Sequence, residues 1–143
     1  MSEKSVSSNI SLSLTPLVTG GVIIAVALIA FFIYKWIKNS DSNKWLKNQS
    51  KLISKGNLTY DITDYQNYAN KLYTAMKGPG TDEATIYLVF NQMSNVDDIR
   101  QLVNAFGLQG DKTLQQWLLS DLSKSELARL NNILKAKSIN YTF

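Results

Sequence analysis

No charged side chain stands between Lys4 and Lys35, and from Leu17 to Ile37 the chain reads LVTGGVIIAVALIAFFIYKWI. As a helix rising about 1.5 Å per residue, such a run is roughly 30 Å long, about the hydrocarbon thickness of a bilayer. Twelve of its residues are Leu, Ile, Val or Phe. Each favours insertion by about 0.3 to 0.6 kcal/mol near the helix centre, roughly 5 kcal/mol in total, which outweighs one terminal lysine able to snorkel. A buried core helix usually has a shorter apolar stretch, and the remainder of this 143-residue chain is too small to surround this one. A cleavable signal peptide would show a basic start, a shorter apolar stretch and a small-residue cleavage site. Here the run starts late and closes on Tyr34-Lys35-Trp36. The sequence predicts a single retained transmembrane helix over 17–37, behind a polar tail over 1–16.

The chain carries 15 Lys+Arg against 11 Asp+Glu, a net charge of +4. Taken whole, such an excess invites a nucleic-acid or anionic-membrane partner, so its position decides. Residues 1–34 hold only Glu3 and Lys4 and are neutral. Residues 35–60 hold Lys35, Lys38, Lys44, Lys47, Lys51 and Lys55 against Asp41, and from residue 61 onward acids exceed bases by one. The positive charge forms one band after the apolar run. By the positive-inside tendency, the C-terminal domain lies on the cytoplasmic or equivalent interior side. Tyr34, Trp36 and Trp45 fit an interfacial aromatic belt, and Gly21 with Ala25 form a small-xxx-small pair suited to homo-oligomeric helix contact.

In the basic stretch, read as a juxtamembrane linker over 38–60, Trp45, Leu46, Leu52 and Ile53 share a helical stripe with lysines on the other face. The pattern predicts a turn lying on anionic headgroups, with Lys35, Trp36, Lys38, Lys44, Trp45, Lys47 and Lys51 at the lipid surface. A topology and stop-transfer signal accounts for the same lysines. The band lacks the arginines and interleaved aromatics that stack nucleic-acid bases, so lipid is the expected partner and nucleic acid is not. Lys55-Gly56-Asn57 breaks the helix.

Residues 61–143 read as all-α. Asp61 or Thr63 caps a helix to about Met76, with Tyr65, Tyr68, Ala69, Leu72, Tyr73 and Met76 at helical spacing. After Gly78-Pro79-Gly80, Thr81 is placed to cap a second helix carrying Ile86, Val89 and Phe90. Ser94-Asn95 opens a third, with Ile99, Leu102, Val103 and Phe106 inward, ending near Gly107 to Gly110. Asp111 or Thr113 opens a fourth, and Ser123-x-x-Glu126 is a capping box for a fifth that holds Leu127, Leu130, Ile133 and Leu134. Asp97 and Asp98, adjacent on a helix, read as surface charge.

The segment Ala75-Met76-Lys77-Gly78-Pro79-Gly80-Thr81-Asp82-Glu83 resembles the signature of an annexin repeat, and Ser94-Asn95 and Ser120-Asp121-Leu122-Ser123 extend the likeness over residues 62–137. The resemblance implies a compact five-helix domain. It also implies an oxygen-liganded Ca²⁺ held by the carbonyls of Met76, Gly78 and Gly80 and closed by the Asp121 carboxylate, chemistry that suits a hard cation. Annexins pack four such repeats where this chain has one, and Pro79 replaces the usual residue between the glycines. Gly-Pro-Gly as a plain turn, with Asp121 helping to cap the fifth helix, is the competing reading. Single repeats of this kind are similar to chains found in bacteria and their bacteriophages.

The chain has no His and no Cys, which removes Ser-His-Asp and Cys-His nucleophiles and thiolate or imidazole metal centres. Gly-Pro-Gly-Thr lacks the lysine and strand context of a phosphate-binding loop. The expected function is therefore non-enzymatic: a single-pass membrane-anchored structural protein whose helical domain docks a protein partner, as in a bacteriophage virion membrane or bacterial envelope assembly. The alternative is Ca²⁺-dependent binding of anionic phospholipid, with the anchor raising the effective concentration of a weak site.

Overall fold

The computed structural model describes residues 16–143, with side chains from Ala27 onward except those of residues 37 and 38. The polar tail predicted over 1–16 lies outside the described residues apart from Pro16. Six helices and no strand are present among the described residues: α1 (Pro16–Lys51), α2 (Ile62–Met76), α3 (Glu83–Gln92), α4 (Val96–Phe106), α5 (Leu114–Asp121) and α6 (Lys124–Ala136). A single 3-10 turn, Lys55–Asn57, stands between α1 and α2. The all-α class read from the sequence is the class observed.

The chain divides into two compact units, Met1–Ile37 and Lys38–Phe143. In the first, Leu28, Ile29, Phe31, Phe32, Ile33, Tyr34 and Trp36 are each more than half exposed. Among the described residues no helix is long and apolar enough to cross a membrane. The side chains of residues 17–26 and 37 of the predicted span lie outside the described ones, and the Gly21–Ala25 helix-contact pair falls among these residues.

The second unit is built on α2, which packs against α3, α4 and α5, while α3 also meets α6. The helical spacing of Tyr65, Ala69, Leu72 and Met76 puts one stripe of α2 into the core. Ile86, Val89 and Phe90 of α3, Ile99, Leu102, Val103 and Phe106 of α4, Leu114 and Leu118 of α5, and Leu130 and Leu134 of α6 complete it. Tyr73 joins three helices, meeting Phe106 edge-on at 6.4 Å and Trp117 at 5.6 Å between ring centroids.

The caps follow local chemistry. Asn95 accepts hydrogen bonds from the Asp97 and Asp98 amides, and Thr113 and Ser123 form complete capping boxes with Gln116 and Glu126. Thr113, not Asp111, opens α5. Asp61 occupies the first cap without a side-chain bond. The second helix departs from expectation, because Asp82 and not Thr81 caps α3. Its carboxylate accepts from the Thr85 amide at 3.0 Å and the Thr85 hydroxyl at 2.7 Å, and a carboxylate also complements the helix dipole.

Residues 38–60 belong to the second unit. Trp45, Leu46, Leu58 and Tyr60 pack against its core. The stripe that the sequence assigned in part to headgroups is thus shared with the protein: Trp45 and Leu46 are half-buried, while Leu52 is exposed.

Candidate functional site

The segment between α1 and α2 is held down by two carboxylates of α4. Asp98 accepts from the Thr59 amide at 2.9 Å, the Thr59 hydroxyl at 2.7 Å, the Ser94 amide at 2.8 Å and the Tyr65 hydroxyl. It has no solvent exposure. Its neighbour Asp97 accepts from Asn57 Nδ2 at 3.0 Å and pairs with Arg100 at 3.3 Å. Arg100 in turn donates to the Leu52 carbonyl at 3.3 Å, and Asn95 Nδ2 donates to the Asn57 carbonyl at 2.8 Å. Residues 52–59 form a strap across the start of α4.

The surface reading of Asp97 and Asp98 is therefore corrected. Both are buried, and the cost of burying a carboxylate is met by multiple donors. Burial pushes the Asp98 carboxyl up, but the bonds from Tyr65, Thr59 and Ser94 outweigh it and hold the group below the usual carboxylate range. At Asp97 the Asn57 bond lowers the carboxyl, burial partly opposes it, and Ser54 and Arg100 lower it further. The Tyr65 hydroxyl is pushed well up, by burial first and then by its bond to Asp98. Every one of these groups is spent on structure. Two acids in a first helical turn are an ordinary dipole signal, and nothing in their spacing reveals that a strap forty positions earlier will cover them.

The Gly-Pro-Gly loop comes close to Asp121. Thr81 Oγ1 donates to the Asp121 carbonyl at 3.4 Å, and the Asp82 amide closes the turn onto the Ala75 carbonyl at 3.0 Å. Gly80 takes a φ of +85°, a conformation glycine adopts without strain. Met76 is buried, Gly78 and Gly80 are exposed, and Asp121 is half-buried. Asp121 does not cap α6, a role held by Ser123 with Glu126; its carboxylate accepts from Ser120 Oγ at 2.9 Å. Among the described residues no group of three or more acidic, His or Cys side chains could hold a metal ion. Calcium at this loop would rest on backbone oxygens with Asp121 as its carboxylate.

On α1 the charged side chains of Lys44, Lys47 and Lys51 are exposed, as is Trp36, whereas Trp45 faces the core. The Lys38 side chain lies outside the described residues. Comparison of the chain with protein families, with curated proteins and with solved structures yields no match.

Proposed function

We propose that the chain is a non-enzymatic, single-pass membrane-anchored docking protein of a bacteriophage virion membrane or bacterial envelope. In this reading the apolar run over 17–37, with Lys35 near its end, is the anchor, and the helical unit that follows offers its surface to a protein partner on the cytoplasmic or equivalent side. The observation that carries it is the row of large apolar side chains from Leu28 to Trp36, each more than half exposed on one helix. Contiguous apolar exposure of this kind is costly in water and favourable in lipid. Alkaline carbonate extraction of membranes containing the full chain tests it. Retention in the pellet is expected, and release into the supernatant overturns the anchor.

A second reading is favoured by the Thr81–Asp121 contact. The annexin-like loop and Asp121 would together take Ca²⁺ and bind anionic phospholipid. The donor set fits a hard cation in kind, being oxygen throughout, with one carboxylate not spent on a helix cap. Native-state binding raises stability with the logarithm of ligand over Kd, so millimolar Ca²⁺ should raise the melting temperature of the wild type and not of Asp121→Ala. An unchanged wild-type transition removes this reading.

A further inference from the structure

We propose that the lysine ridge of α1, formed by Lys44, Lys47 and Lys51, binds anionic phospholipid headgroups by charge alone, without inserting side chains into the bilayer. The inference rests on the membrane-anchored reading and names what the first helical segment of the second unit contributes to it.

The two faces of this segment have different uses. Ser42 is 7 % exposed, Trp45 and Leu46 pack on the core, and Asn39 Nδ2 donates to Asp111 at 3.2 Å. Lys44, Lys47 and Lys51, spaced i, i+3 and i+7, share the opposite face and are exposed. A helix that inserts into a membrane needs a free apolar face. Here Trp45 and Leu46 are engaged by the protein, so what remains outward is charge.

The ridge is also held in place. The Asn39–Asp111 bond fixes the segment near its start, and Arg100 holds the Leu52 carbonyl just past its end. The lysines are therefore presented from a fixed backbone, unlike those of a loose linker that must be ordered on binding. An acid near them, Asp41, lies 4.0 Å from Lys44 with both side chains more than 70 % exposed. Such a pair is weak in water and can be exchanged for lipid phosphate.

Lysine ammonium groups are compact point charges that meet phosphates without demanding one geometry, as a fluid headgroup layer requires. The exposed face carries Asn43 and Asn48 beside the lysines, with no arginine or aromatic ring to stack a base. The charge complement is an anionic lipid surface. Leu52 is exposed beyond the last lysine, and insertion through it is an outcome the test must detect.

The full chain, reconstituted in vesicles, is acetylated at lysines and read by mass spectrometry. Lys44, Lys47 and Lys51 should react several-fold more slowly in vesicles containing phosphatidylglycerol than in pure phosphatidylcholine, with Lys124 and Lys135 unaffected. High salt should abolish the difference, because surface charges are screened within about 3 Å at molar ionic strength. Equal reactivity in both lipids overturns the proposal. So does protection that survives salt, which would signal insertion, or stronger protection by an added RNA oligomer than by anionic lipid. Flotation with pure phosphatidylcholine vesicles reports the anchor separately. A chain that fails to float there, yet gains salt-sensitive protection with anionic vesicles, loses the anchor and keeps the ridge.

Discussion

Asp98 receives both the backbone amide and the side-chain hydroxyl of Thr59, at 2.9 and 2.7 Å, across 39 positions of sequence. One residue of the strap thus fills two lone-pair positions of a carboxylate that has no access to water. Tyr65 and Ser94 take others, so α2, the strap and the α3–α4 junction meet on a single side chain. The strap is tied into the tertiary structure because Thr59 supplies two of the bonds to the Asp98 carboxylate, with Tyr65 and Ser94 supplying the rest.

Removing the acceptor should therefore cost more than removing one donor. Asp98→Ala strands the Thr59, Tyr65 and Ser94 donors and should lower unfolding free energy by about 3 kcal/mol, since bonds to a charged group contribute roughly 1.5–3 kcal/mol each but not additively. Thr59→Val deletes one hydroxyl and should cost about 1–2 kcal/mol. Urea denaturation measures both. Equal losses for the two variants would mean that the network does not converge on Asp98.

The same carboxylates contribute to the acid limb, beside the helix-capping Asp82 and Glu126, which their bonds to Thr85 and Ser123 also hold below the usual range. Asp97 and Asp98 are held below the usual carboxylate range in the folded chain, so the native state binds fewer protons than the unfolded one near their titration. Their stabilisation is complete above the unfolded value of about 3.9 and is lost as pH falls through the lower folded values. The urea midpoint should hold from pH 7 to 5 and drop below about pH 4. Asp97→Asn should flatten the drop, and a variant with the wild-type slope would remove Asp97 from this account.

Helix spacing and caps were legible because their signals are local. The stripes Tyr65-Ala69-Leu72 and Ile99-Leu102-Phe106, and the box Ser123-x-x-Glu126, are written within two turns of chain. Thr81 misled because a hydroxyl before two acids is a good cap, while Asp82 offers the stronger acceptor one residue later. The docking of residues 38–60 on the helical unit was illegible for a different reason. Trp45, Leu46 and the lysines of α1 have the pattern of a headgroup-lying helix, and nothing local says whether protein or lipid covers the apolar side. The Asn57–Asp97 and Thr59–Asp98 bonds are non-local pairings, which no periodicity encodes. For the loop, the sequence could bring Gly80 and Asp121 together only through the annexin resemblance, and the Thr81–Asp121 bond puts the two segments side by side.

Capping gives a direct comparison. Ser123→Ala and Thr113→Ala should each cost about 1 kcal/mol, roughly 5 °C in a unit of this size. Asp82→Ala should lower the melting temperature more than Thr81→Ala, because Asp82 holds both the amide and the hydroxyl of Thr85. The reverse order would mean that the Thr81 bond to the Asp121 carbonyl contributes more than the Asp82 cap.

Two positions at helix ends should respond to substitution with opposite signs. Ser138 ends α6 at a φ of +58°, where the Ser138 amide donates to the Lys135 carbonyl and the Ile139 amide reaches back to the Leu134 carbonyl. This closure favours glycine at the left-handed residue, so Ser138→Gly should stabilise by about 0.5–1 kcal/mol despite the added freedom of the unfolded chain. Gly107 ends α4 at φ 57° and ψ −131°, a region that side chains other than glycine rarely enter. An added Cβ would meet the Asn104 carbonyl oxygen only at ordinary contact, 3.9 Å, so backbone strain and not crowding sets the cost. Gly107→Ala should destabilise by about 1–3 kcal/mol. Thermal denaturation of the pair checks both signs, and a neutral Gly107→Ala would mean that the α4–α5 turn relaxes to another conformation.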